Sequence, residues 1–107
     1  MDKRQRKSDI GYMSVVAGMA NQVIEKPGII SVGQHRDFRR IPEIIYKPGV
    51  FMQPKAFYEY FGEDTNFEYV RDHTDDWMEI RAEVNGVIFY AQVNSMDVIR
   101  DGKLVVV

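Results

Sequence analysis

The side chains able to do chemistry concentrate in a few short stretches of this chain. Asp72-His73-Thr74-Asp75-Asp76 sets one imidazole among three carboxylates. Those are the residue types that hold divalent metals or move protons in acid–base catalysis. Consecutive residues of an extended segment point in alternating directions, however, so they do not converge on one ion without ligands from elsewhere. The only other histidine is His35, and the D-x-[DN]-x-[DN]-G spacing of a calcium loop is missing. The stretch is expected to be a solvated acidic loop, with no metal and no cofactor. His35-Arg36-Asp37 spells the start of a kinase catalytic loop, but no Asn follows at the required spacing and no Gly-rich phosphate loop is present. Asp37 is expected to pair with Arg39 or Arg40 in a basic turn. None of Ser8, Ser14, Ser31 and Ser95 lies in G-x-S-x-G, and there is no P-loop and no H-E-x-x-H. The chain has no cysteine, hence no disulfide, thiolate metal site or cysteine nucleophile. These features point away from an enzyme, with no catalytic residue assigned.

Two charged regions are more informative. Residues 57–77 carry seven acids and seven aromatics. Tyrosine and tryptophan anchor interfaces because they bury large areas at small entropic cost. Acids beside them steer a basic partner and speed its encounter. The leading expectation is a non-enzymatic protein-binding module, inhibitor- or adaptor-like, that docks a protein with a basic surface. Tyr58, Tyr60, Glu63, Asp64, Glu68, Asp75 and Asp76 are its candidate contacts. The alternative is nucleic-acid binding through the basic N-terminal arm and the 35–40 cluster. Arg4, Arg6, Arg36, Arg39 and Arg40 would then meet phosphates, with Phe38 available for stacking. The pI of about 5.6 argues against that reading. A further alternative is a small self-assembling structural protein. Residues 1–47 hold nine Lys and Arg against five acids, and residues 48–107 hold five against eleven. Opposite ends of such a bipolar chain would stack head to tail.

The elements that position these residues follow from length and pattern. A chain of 107 residues and 12.5 kDa fits one domain, 1–107. No stretch approaches the ~18 apolar residues of a membrane span. Lys3, Arg4, Arg6 and Lys7 resemble the positive start of a secretory signal, but Asp9, Gly11, Tyr12 and Ser14 interrupt the apolar run that should follow. With no cysteine, the composition fits a reducing, cytoplasmic setting.

Residues 1–7 read as a basic arm, ordered or flexible, ahead of the first helix. Ser8 or Asp9 is expected to cap a helix running to about Glu25, with Ile10, Met13, Val16 or Ala17, and Ala20 on its apolar stripe. Lys26-Pro27-Gly28 and Lys47-Pro48-Gly49 both carry the type II turn signature. Strands are expected at Ile29–Val32, Glu43–Tyr46, Val50–Gln53 and Phe67–Val70. Pro54 should open a two-turn helix that buries Phe57, Tyr60 and Phe61 and stops at Gly62. Asn85-Gly86 suits a two-residue type I′ hairpin between Met78–Val84 and Val87–Val93. In that register Val84 faces Val87, Ala82 faces Phe89, Ile80 faces Ala91 and Met78 faces Val93, all apolar. Asp101-Gly102 is a second candidate turn, between Met96–Arg100 and Lys103–Val107. The expected fold is α+β: a single two-layer domain, mainly antiparallel β-sheet with an N-terminal helix and a short second helix. A partly open β-barrel is the competing architecture.

Overall fold

A computed structural model describes residues 2–19, 23–37, 45–62, 67–71 and 77–94. The first helix, α1, spans Lys3–Ala17. Its N-cap is Asp2, not the expected Ser8 or Asp9: the Asp2 carboxylate accepts the Gln5 N–H at 2.8 Å and caps the helix there. The basic residues Lys3, Arg4, Arg6 and Lys7 thus belong to the start of α1. The helix also ends earlier than expected, at Ala17, with Gly18 as its C-cap.

Lys26-Pro27-Gly28 makes the expected turn. Ile29 N–H donates to the Lys26 carbonyl at 3.2 Å, and Gly28 adopts φ +84°, the third-position geometry of type II. Strand β1, Ile29–Arg36, follows and runs four residues past the expected end. Its antiparallel partner β2, Tyr46–Met52, passes straight through Lys47-Pro48-Gly49. The second Lys-Pro-Gly is therefore strand, not turn. Long-range pairing overrides the local signature: His35 faces Lys47, Gln34 faces Pro48 and Gly33 faces Gly49. Pro48 sits one residue outside the stretch where β2 meets its second neighbour, and proline is tolerated where a strand is paired on one side.

Helix α2, Pro54–Phe61, matches expectation, with Pro54 in its first turn and Gly62 as C-cap. Strands β3 (Glu68–Arg71), β4 (Trp77–Val84) and β5 (Val87–Asn94) complete a five-stranded sheet in the order β1-β2-β5-β4-β3. Three of the four strand pairs are antiparallel, and β2–β5 is parallel. The β4–β5 hairpin has the expected register throughout, with Asn85 at φ 53° and Gly86 at φ 77°, the two positive values a type I′ turn requires. The sheet is open, with β1 and β3 at its edges, among the described residues. The second candidate hairpin, around Asp101-Gly102, lies outside them.

Both helices pack on one face of the sheet. Met13 and Ala17 of α1 and Ala56, Phe57, Tyr60 and Phe61 of α2 share a core with Val50, Met52, Ile80, Phe89 and Ala91. Asp9 ties this layer together. Its carboxylate accepts from Lys26 Nζ (3.2 Å), Gln5 Nε2 (2.9 Å) and the Tyr60 hydroxyl (3.3 Å). α1, the turn before β1, and α2 are thereby joined. Burial raises the Asp9 pKa, but the hydrogen bonds from Lys26 and Gln5, the Lys26 charge and the Tyr60 hydroxyl outweigh it and hold it below the ordinary value. A carboxylate with a depressed folded pKa stabilises the fold above its unfolded pKa, and that stabilisation is lost as pH falls through the folded value. Asp9→Asn is expected to lower Tm near pH 7. The gap from wild type should close as pH drops below the ordinary carboxylate range, in melts followed by circular dichroism. A gap that stays constant to pH 2.5 would show that the carboxylate charge contributes nothing.

Candidate functional site

The pleat divides the sheet residues between two faces. The face away from the helices carries His35, Lys47, Phe51, Glu79, Arg81, Glu83, Ile88 and Tyr90. Its centre is unusually charged for buried sheet. Arg81 is 1% exposed and Asp37, just beyond β1, is likewise 1% exposed. Arg81 Nη1 lies 3.3 Å from Asp37 Oδ1, and Lys47 Nζ lies 3.2 Å from Asp37 Oδ2. Lys47 also pairs with Glu83. On the same face His35 Nε2 meets Glu79 Oε1 at 2.6 Å. The His35 ring stacks on Tyr90 at 3.8 Å between centroids, and Phe51 stacks on Tyr90 at 5.0 Å.

Gly49 is what lets this stack form. A Cβ there would stand 2.7 Å from His35 Cβ and 3.2 Å from Tyr90 Cε1. The glycine of the second Lys-Pro-Gly therefore serves close side-chain approach across the sheet, not a turn. Burial raises the Tyr90 pKa, and the Glu79 charge adds to the rise. Burial likewise raises the Tyr60 pKa, followed by the charge and hydrogen bond of Asp9 and the charge of Glu59. Both phenols stay protonated at neutral pH and act as polar packing groups.

Chemically, this network is a set of ion pairs linking β1, β2 and β4. Each carboxylate faces a cation or an imidazole from another strand or from the end of β1. The expected pairing of Asp37 with Arg39 or Arg40 is replaced by pairs with Arg81 and Lys47; residues 39 and 40 themselves lie outside the described residues. Among the described residues no group of three His, Asp or Glu is placed to hold a metal ion. The network was hidden in the sequence because its ion-paired partners lie up to 44 positions apart. The signal that was present is Arg81 at the centre of the best-specified hairpin, where the register sets it opposite Tyr90.

The acidic, aromatic residues are distributed otherwise. Tyr60 is 6% exposed, inside the core, with its hydroxyl on Asp9, so it is not available as a surface contact. Tyr58 and Glu68 are half-buried, and Glu59 of α2 is exposed. Glu63, Asp64, Asp75 and Asp76 lie outside the described residues. They belong to the segments that lead into and out of β3, the edge strand. Of the candidate phosphate contacts, Arg4 is exposed on α1, Arg6 is half-buried there, and Arg36 is half-buried at the end of β1. They do not form one cluster by sequence position or element. His73 and its acidic neighbours also fall outside the described residues.

Comparison with family models, curated proteins and solved structures finds no match. Among the described residues no helix is long and apolar enough to cross a membrane.

Proposed function

We propose that the protein is a non-enzymatic binding module that docks a partner protein with a basic surface along the β3 margin of its sheet. The supporting observation is topological: β3 is an edge strand, and the two chain segments that flank it carry Glu63, Asp64, Asp72, Asp75 and Asp76. Glu68 lies within β3 and Tyr58 on the preceding helix, both half-buried, while Tyr60 is inside the core. Acidic residues around a short sheet edge discourage pairing with other strands and attract cations. Tyr58 supplies aromatic area that is already half-ordered by the core, which keeps its entropic cost of binding low.

The test is photo-crosslinking from position 58 in nuclease-treated native lysate, with the captured proteins identified by mass. The expected partner is basic, and its capture weakens at high salt. Replacing Glu63, Asp64, Asp75 and Asp76 together by their amides should lower capture about tenfold or more, in line with the loss of several interface charges. Unchanged capture by the amide variant would sink this reading. Capture that appears only when the nuclease treatment is left out would transfer the function to the arginines.

A further inference from the structure

Met13 and Ala17 fix the inward side of α1, and Met13 is fully buried. At 3.6 residues per turn, the line opposite Met13 runs through Arg4, Ser8, Gly11 and Val15. Arg4 and Val15 stand about three turns apart on it and point the same way. Val15 is 67% exposed, and Tyr12 and Met19, on one flank of the line, are 54% each. Met19 lies just past the helix and keeps its course, with its N–H on the Val16 carbonyl at 3.1 Å. Lys7 is exposed on the other flank. No atom lies within 4 Å of the place a Cβ of Gly11 would take, so the middle of the line is open.

This outward half is one-sided in charge. Between Lys3 and Met19 the only acid is Asp9, and it is turned inward onto Lys26, Gln5 and Tyr60. What faces out is cations and apolar side chains, sorted along the axis. Lys3, Arg4 and Lys7 are exposed in the first part, and Tyr12, Val15 and Met19 in the second. The helix has no acid in its first turn and no basic residue in its last, so its own dipole does not favour this order of charges. Apolar exposure continues beyond it. Val23 is 74% exposed and Ile30 53%, and between them Lys26 stands over the Tyr12 ring at 5.5 Å. Of the six exposed large apolar side chains among the described residues, five fall between Tyr12 and Ile30.

We propose that this side of α1 is a docking surface for a phospholipid bilayer with anionic headgroups, on which the helix lies flat in the headgroup layer. A nucleic acid would suit Arg4 and Lys7 but gain nothing from Val15 and Met19. An apolar protein groove would suit Val15 and Met19 but gain nothing from the cations. An anionic bilayer suits both in one plane, and it takes up convex apolar side chains without a shape made to fit them. Interfacial helices bind in this way, by a buried apolar face together with attraction of basic residues to acidic lipid. The long stems of Lys3, Arg4 and Lys7 let their charged ends reach headgroup phosphates while the helix settles. Tyr12 places an apolar ring at the boundary and keeps its hydroxyl in water. This is contact with a surface and not a span, so it needs no long apolar helix. It does not use the β3 margin.

The test uses vesicles of equal parts phosphatidylcholine and phosphatidylserine, with vesicles of phosphatidylcholine alone as the comparison. The full chain is expected to co-sediment with the mixed vesicles and to bind the neutral ones about tenfold less tightly or worse. The chain has no cysteine, so Val15→Cys and Gln92→Cys each give a single site for an environment-sensitive dye. Gln92 is exposed on the sheet face away from the helices. Dye emission should move to shorter wavelength at position 15 on binding and stay unchanged at position 92. Val15→Glu, and separately Arg4→Gln with Lys7→Gln, should each lower affinity for the mixed vesicles about tenfold or more. All three side chains are exposed, so far-UV circular dichroism of the free variants should match wild type. No binding to the mixed vesicles, equal binding to both kinds, no dye shift at position 15 in the bound protein, or affinity that survives either replacement would each overturn the proposal. So would an RNA homopolymer that shifts the dye at position 15 as the vesicles do.

Discussion

Replacing Arg81 by methionine lowers the stability of the fold by about 3–5 kcal/mol, the range for breaking a buried ion pair by removing one partner. The cost comes less from losing the attraction than from what remains. Asp37 keeps a carboxylate whose side chain is 0% exposed and loses the guanidinium 3.3 Å from its Oδ1. A buried charge that loses one of its partners either bears more of its desolvation cost or takes up a proton. For a domain of this size, whose total stability is about 5–15 kcal/mol, that is a large fraction. Urea unfolding measures it as a shift in midpoint at unchanged slope. The decisive comparison is Arg81→Met combined with Asp37→Leu. With both charges gone the double variant should lose less than the sum of the singles, and the difference reports the coupling. Single variants that each cost under about 1 kcal/mol would mean that solvent reaches the pair and screens it.

Phe57→Ala is expected to cost about 3–5 kcal/mol, the usual range for deleting a fully buried aromatic ring. Phe57 is 0% exposed. Its ring meets Phe61 at 4.9 Å and Phe67 edge-on at 5.8 Å, and Phe61 in turn meets Phe89 at 5.4 Å. Removing Phe57 opens a cavity between α2, the entry to β3 and the central strand β5. The surrounding rings are held from several elements, so they cannot collapse into the space, and the cavity term adds to the lost transfer energy. Denaturant unfolding again gives the number. A loss below about 1 kcal/mol would show that the aromatic cluster relaxes around the deletion.

The sequence was legible wherever the deciding interactions are local. Pro54 and Gly62 bracket α2, and Asn85-Gly86 demands two positive φ angles. The eight apolar partners of the hairpin leave only one register that buries them all. Helix α1 was half legible: its apolar stripe was visible, yet the cap was placed at Ser8 or Asp9. Asp9 has the right side chain for a cap, and only its partners Lys26 and Tyr60 reveal that it faces the core. The docking patch was legible as a composition but not as a surface, because tyrosine serves core and interface alike. Tyr58 and Tyr60 are two residues apart on one helix, and the position of Asp9, 51 residues before Tyr60, separates their roles.

By itself, then, the chain determined an α+β domain with a central hairpin, a short proline-started helix, a turn at Lys26-Pro27-Gly28 and a division into basic and acidic halves. These follow from backbone stereochemistry and hydrophobic period, which act over a few residues. Only the tertiary structure decided that the second Lys-Pro-Gly is a strand, that β2 and β5 run parallel at the centre, and that Asp37 pairs with Arg81. It also decided which side of α1 is left uncovered. The physical reason is the same in each case. A buried charge or a strand edge is satisfied by whichever group the fold brings near, and sequence separation has no bearing on that distance.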